Sequence, residues 1–177
     1  LEHGLNIQEN LAQTYAEVAG KRHAEIYRMF FDHGLDTLIA PVFGGEILDR
    51  GDEYMETIGI AMSRLATHPD FLSLYEKYDV RVHFYGDYHK QFSGTPYSHL
   101  ADLFDRIGKH TAHHKRYRLF YGVFASEATE SIAEMSIRFF QKNNRMPTRR
   151  DLIELYYGEY IEKANIFIGF EKFNVFD

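Results

Sequence analysis

The chain has no cysteine. That absence excludes a disulfide framework, a thiolate metal site and a cysteine nucleophile. Proline is scarce, four in 177 residues, and no stretch is rich in Pro, Gly or Ser. With no linker and no repeat, a single domain is expected over 1–177. Long apolar runs are missing too: 38–43 is among the longest and is far too short to cross a bilayer. There is no excess of positive charge. Twenty Lys and Arg face 26 Asp and Glu, a net charge of −6, and a general nucleic-acid binder would show a basic stripe instead. No charged-then-apolar segment opens the chain, so the expected address is the cytoplasm. Hydrophobic residues at 45% and charged residues at 26% exclude a disordered tail, a fibre and a low-complexity segment.

What is abundant is aromatic. The chain carries 15 Phe and 13 Tyr and no Trp. Two readings fit: an aromatic-rich core, and an apolar cavity for a greasy substrate.

Helical periodicity runs over 7–33, with Leu11, Tyr15, Val18, Ala19, Ile26, Met29 and Phe30 as its apolar members and Gly34 as C-cap. The run 37–43 reads as a buried strand. A helix starting near Asp52 has Met55, Ile58, Met62 and Leu65 on one face, and Pro69 begins a short helix ending near Tyr78. Residues 80–85 alternate and stop at Gly86-Asp87, a second strand. The polar stretch 88–116 holds one short helix around 97–107. Residues 117–124 form a third strand. Ser126 caps a helix over 127–142, and Thr148 with Asp151 makes a capping-box arrangement for a helix reaching about Lys163. Residues 164–170 form a fourth strand. This alternation predicts an α/β fold, a mostly parallel sheet flanked by helices, with all four strands parallel.

In open sheets of this kind ligands bind beyond the carboxyl ends of the strands. Four segments lie there: 44–52, 86–90, 125–131 and 169–177. The first offers Gly44 and Gly45 for close backbone approach, Arg50 as a planar fork for phosphate, and Asp52 at a helix N-terminus. It is an anion-handling loop or an exposed charged loop with a capping Asp. Gly86-Asp87 is by itself a turn signal. Ser126 and Glu127 open a helix, and helix N-termini bind anions or cap themselves. In the last segment Lys172 and Asn174 lie among aromatics. They suit a diphosphate beside an apolar tail, or an ordinary strand-loop with Phe in the core.

Two metal-like patterns carry less. Glu46, Asp49, Asp52 and Glu53 imitate the aspartate-rich cluster of helical terpene synthases, but that cluster needs one helix face in an all-helical bundle, and Mg²⁺ demands precise oxygen geometry. His110, His113 and His114 lie in a basic stretch that reads as a solvated loop, without the three or four convergent ligands zinc requires.

Taken in order, the strand-end segments resemble the cis-prenyltransferase superfamily, the undecaprenyl diphosphate synthase fold. The stretch 43–50 is similar to that family's Phe-Ser-acidic-Asn-Trp-Arg run, with Arg50 on its arginine. Residues 80–87 resemble its arginine-rich strand ending in Gly-Asp, and 119–132 its strand-to-helix segment. Residues 171–176 resemble its final diphosphate-binding run, with Lys172 at an arginine position and Asn174 at a serine position. Leu48-Asp49-Arg50-Gly51-Asp52, Phe84-Tyr85-Gly86-Asp87-Tyr88, Pro147-Thr148-Arg149-Arg150, Tyr156-Tyr157-Gly158-Glu159-Tyr160 and Phe167-Ile168-Gly169-Phe170 are similar to one branch, the tuberculosinyl adenosine transferases.

The resemblance implies an enzyme acting on an allylic prenyl diphosphate. Diphosphate leaves, and the carbocation is captured by water or by a nucleophile such as adenosine. It implies Arg50 and Lys172 on the diphosphate, Asn174 adding a hydrogen bond, and Asp49 and Asp52 orienting Arg50 or assisting a proton transfer. Tyr54 and Tyr88 line the reacting end, and Met55, Ile58 and Met62 line the tail tunnel. Mg²⁺ is the cofactor it suggests and a homodimer the assembly. Ile47 stands where the family has asparagine, which favours a terpene synthase or transferase over a polyprenyl synthase. The family's first strand, with its Asp-Gly-x-x-Arg loop, and its C-terminal end have no counterpart within 1–177, so a fragment of a longer enzyme is expected. A non-catalytic subunit of this fold and an unrelated α/β enzyme on a phosphorylated metabolite are the alternatives.

Overall fold

Strands joined by helical crossovers can return in the same direction, and here they do so twice. In the computed structural model, which describes residues 2–125 and 128–169, β1 (Thr37–Phe43), β2 (Val80–Tyr85) and β3 (Tyr117–Val123) form one parallel sheet in the order β1-β3-β2. The register pairs Leu38 with Leu119 and Val82 with Leu119, so apolar residues line up across all three strands. The flanking helices are α1 (Glu2–Asp32), α2 (Asp52–Thr67), α3 (Pro69–Lys77), α4 (Tyr88–Phe92), α5 (Ser98–Thr111), α6 (Ala128–Asn143) and α7 (Arg149–Tyr157); a 3₁₀ helix spans Gly45–Arg50. The chain forms two compact units, Leu1–Ala125 with the sheet and Ser126–Asp177.

The aromatics fill the core of the first unit. Phe31, Phe71, Tyr75, Phe92, Phe104, Phe120 and Tyr121 are fully buried. Phe31 stacks on Tyr117 at 4.5 Å and Phe84 on Phe104 at 4.1 Å between ring centroids. The buried face of α1 is Ala24, Tyr27 and Phe31, one step away from the expected stripe, and Val18 and Met29 are 55% and 49% exposed. Aromatic partners on β3 decide the phase: Tyr27 meets Tyr121 edge-on at 6.0 Å, and Phe31 stacks on Tyr117. The expected face of α2 holds: Met55, Met62 and Leu65 are buried and Ile58 half-buried.

Proline leaves a mark inside this core. The Leu65 carbonyl would accept from the residue four positions on, but that residue is Pro69, which has no N–H. The buried Tyr75 hydroxyl donates to it instead at 2.8 Å, and the Tyr75 and Tyr121 hydroxyls are 3.0 Å apart. Burial pushes both phenols up from their ordinary range. On the outer edge of β2, the Val82 N–H donates to the buried Thr111 hydroxyl at 3.0 Å.

Two expectations for the first unit are corrected. The stretch 88–116 is mostly helical, because Phe92, Leu100, Phe104 and Ile107 supply an apolar face. His114 is not solvated. It is 3% exposed, its Nδ1–H donates to the Val80 carbonyl at 2.9 Å, and neighbouring His110 lies 2.9 Å from Glu76. Asp79, at φ +54°, turns the chain here: its carboxylate accepts from the N–H groups of Lys115 and Arg116, each at 3.0 Å. Those backbone donors, Lys115 first, hold its carboxyl below the usual range.

In the second unit the capping box forms as expected, with Asp151 N–H donating to Thr148 Oγ1 and Thr148 N–H to Asp151. Arg145 clamps the same carboxylate with two N–H donors at 2.8 and 2.9 Å. The last helix ends at Tyr157 and not near Lys163, because Gly158 takes the left-handed conformation at φ +86° and closes it. The expected fourth strand is absent over 164–169, and Phe170 lies outside the described residues, as does Ser126. The run Ile166-Phe167-Ile168 is apolar without alternation, and Ile166 is 66% exposed. A strand needs a ladder partner, and the described strands pair only among themselves.

Candidate functional site

Because the three strands are parallel, their carboxyl ends share one rim. Phe43, Tyr85 and Val123 end there, in register within a residue. Two backbone hydrogen bonds tie the ends together beyond the ladders: Phe124 N–H donates to Phe43 O at 2.7 Å, and Asp87 N–H to Phe124 O at 3.1 Å. Gly86 has φ +104°, and a Cβ there would overlap the Val123 carbonyl oxygen. Phe124 holds the left-handed region at φ +53° although it carries a ring. That ring is buried and meets Phe92 edge-on at 5.2 Å. Non-glycine residues persist in this region only where their surroundings over-determine them, and such residues gather at functional sites.

From β1 the chain passes through Gly44 into the 3₁₀ helix, whose last residue is Arg50. Gly51 at φ +86° then caps α2 without a side chain. Arg50 is exposed. Its Nη1 donates to the Tyr54 hydroxyl at 3.3 Å, and its guanidinium carbon sits 5.1 Å from the Tyr54 ring centroid. Asp49 lies in the 3₁₀ helix beside Arg50, and Asp52 opens α2. Tyr54 and Ile58 are half-buried, whereas Met55 and Met62 are buried with Phe92, Leu100 and Phe104.

Tyr88, two residues past Gly86, is buried, and its hydroxyl donates to Asp105 at 3.2 Å. Burial first, then the Asp105 carboxylate, pushes its phenol well above the ordinary range. The Tyr88 phenol therefore stays protonated at neutral pH and donates to Asp105. His89 also approaches Asp105, with Nε2 at 3.2 Å. The sequence reading missed Asp105 and the left-handed Phe124, since neither carries a motif. Arg50, Gly86 and Tyr88 all belong to the rim, while Lys172 and Asn174 lie outside the described residues.

The rim thus offers an exposed guanidinium and aromatic rings beside an apolar cluster. Guanidinium forks and helix N-termini suit phosphate oxygens. Among the described residues no three His, Asp or Glu side chains converge to hold a metal ion; the side chains of Glu46, Asp49, Asp52 and Glu53 lie outside the described ones. Mg²⁺ is commonly held by one or two carboxylates together with substrate phosphates.

No protein-family model matches the chain. Over 164 residues, 92% of its length, it is 40% identical to tuberculosinyl adenosine transferase of Mycobacterium tuberculosis (strain CDC 1551 / Oshkosh). The chain is a relative of that transferase. It spans about half of the transferase's length, 55%. Its fold is that of the cis-prenyltransferases. A probable undecaprenyl diphosphate synthase from Campylobacter jejuni superposes with a TM-score of 0.60 at 15% identity, covering 74% of this chain and 60% of that one. Lavandulyl diphosphate synthase from Lavandula x intermedia, in complex with dimethylallyl diphosphate, superposes with a TM-score of 0.60 at 12% identity, covering 82% and 66%. The resemblance read from the strand-end motifs therefore holds, with three strands in the sheet among the described residues where four were expected. No helix among the described residues is long and apolar enough to cross a membrane.

Proposed function

We propose that the protein is a prenyl-diphosphate-dependent transferase or terpene synthase, which releases diphosphate and passes the prenyl cation to water or to adenosine. The observation that carries the reading is the 40% identity to a tuberculosinyl adenosine transferase across 92% of the chain. A solved neighbour with dimethylallyl diphosphate bound supports the substrate class.

The chemistry follows from what such a reaction demands. As the allylic carbon–oxygen bond breaks, its electron pair leaves with the diphosphate, which gains charge. Donors placed for that charge act mostly in the transition state. Arg50 and Lys172 supply cationic donors and Asn174 a neutral one. Lys172 meets phosphate as a point charge and not as a fork, a looser grip than arginine's. The cation left behind needs a dry, aromatic-lined pocket, because ring faces favour positive charge and water would quench it. Tyr88 serves as one such face, with Met55, Ile58 and Met62 toward the tail. Capture by water releases a proton, which Asp49 or Asp52 takes. The active form is a homodimer.

The test incubates the natural protein with C10 to C20 prenyl diphosphates, with and without Mg²⁺ and adenosine, and identifies the products. Diphosphate release with a prenyl alcohol or a prenyl adenosine is expected. No turnover, together with no competition by long prenyl diphosphates for binding, would overturn the reading.

A further inference from the structure

We propose that Tyr54 is a positioning residue: it holds the Arg50 guanidinium in place for a diphosphate without neutralising it. The proposal rests on the prenyl-diphosphate reading of this rim.

Arg50 is an exposed side chain at the end of a 3₁₀ helix. Left alone it would sample many rotamers, and an anion would have to order it on arrival. The chain builds a partner for it. Gly51 breaks the 3₁₀ helix at φ +86°, and Met55 N–H donates to Gly51 O at 3.1 Å to start α2. That junction brings residue 54 beneath residue 50. The Tyr54 ring is itself anchored, half-buried against the cluster of Ile47, Met55 and Met62. A fixed ring thus meets a mobile cation in two ways, through the phenol oxygen at 3.3 Å and through the ring 5.1 Å below the guanidinium carbon.

The chemistry of the partner matters as much as its place. An aspartate or glutamate here would also fix the arginine, but it would cancel the charge that a diphosphate needs. A phenol is a neutral acceptor, and a ring face attracts a cation without neutralising it. The hold engages Nη1, one of three guanidinium nitrogens, and Nη2 and Nε remain for phosphate oxygens in the planar fork.

A double-mutant cycle tests this on the natural protein, with Tyr54→Phe, Tyr54→Leu, Arg50→Lys and Arg50→Lys/Tyr54→Leu. The readouts are inorganic diphosphate affinity by calorimetry and kcat and KM with a prenyl diphosphate. Tyr54→Leu is expected to weaken diphosphate about tenfold, the size of one lost cation–ring contact plus one hydrogen bond, and to lower kcat more than it raises KM. Tyr54→Phe, which keeps the ring, should fall between Tyr54→Leu and wild type, and it stays informative if Tyr54→Leu is unstable. In the Arg50→Lys background, Tyr54→Leu should add less than about twofold, because residues that act together are not additive. An equal loss in both backgrounds would overturn the proposal. So would wild-type affinity and turnover in both Tyr54 variants alongside a crippled Arg50→Lys, and that outcome leaves the prenyl-diphosphate reading standing. Wild-type behaviour of Arg50→Lys itself would remove Arg50 from diphosphate binding and the proposal with it.

Discussion

Gly86→Ala isolates the geometry of the rim. Two costs add at this position. The first is conformational: φ is +104°, and an L-residue forced into positive φ loses about 1–2 kcal/mol. The second is steric. The added Cβ would overlap the Val123 carbonyl oxygen and lie 3.0 Å from both Ala125 N and Phe124 C. All three are backbone atoms, so no side chain can swing aside, and overpacking of this kind costs a further ~1–3 kcal/mol. The total, about 2–5 kcal/mol, is a large share of the 5–15 kcal/mol that a domain typically has. Gly94→Ala is the internal control, with φ +72° and nothing within 4 Å of its Cβ. It should cost the conformational part alone. Urea unfolding followed by circular dichroism gives both values as midpoint shifts at constant slope. Equal losses in the two variants would show that the β2 and β3 ends do not sit against each other as described.

Three further outcomes follow from particular contacts. Arg50→Lys should lower turnover of a prenyl diphosphate about a hundredfold, the usual cost of one preorganised donor, while thermal melting stays near wild type; wild-type turnover in the folded variant removes Arg50 from the chemistry. Tyr75→Phe should cost about 1–3 kcal/mol, since the Leu65 carbonyl, whose helical partner position is Pro69, is left without its donor; a loss within experimental error on urea unfolding would contradict this. The Asp151 carboxyl is held below its ordinary range, chiefly by Arg145 and then by Thr148. Its folded pKa is depressed, so its contribution is complete above the unfolded value of about 4 and fades as pH falls through the folded one; Asp151→Asn should flatten that part of the acid-unfolding curve, and an unchanged curve would refute the assignment.

The three strands were legible because each is a short apolar or alternating run, and Gly44 and Gly86 bound two of them. The helix α2 was legible from its four-residue spacing, and the start of α7 from Thr148 and Asp151. Residues 164–170 misled because apolarity marks a chance of burial, while a strand also needs a partner with free backbone groups. The face of α1 slipped because Tyr27 and Phe31 compete with Ile26 and Phe30 at the same spacing, and the rings that meet Tyr27 and Phe31, Tyr121 and Tyr117, are far away in sequence. His114 looked solvated among Lys115 and Arg116, yet an imidazole with a backbone acceptor in reach is easily buried. At the rim, Arg50 and Gly86 were found by the strand-end rule. The hold of Tyr54 on Arg50 depends on the turn at Gly51, and the Tyr88–Asp105 bond joins residues 17 apart, so neither shows in local pattern.

The order β1-β3-β2 has a consequence for how the chain is made. The central strand is the last of the three to be synthesised, and Thr37 waits 81 residues for its partner Arg118. Until β3 leaves the ribosome, β1 and β2 lack the partner they have in this sheet, and the edges it will cover are open to wrong pairings. The helices α1, α2 and α3 can associate earlier, because their contacts are closer in sequence. A nascent chain halted before Tyr117 should therefore be helical and sticky, and release of seven more residues should close the sheet.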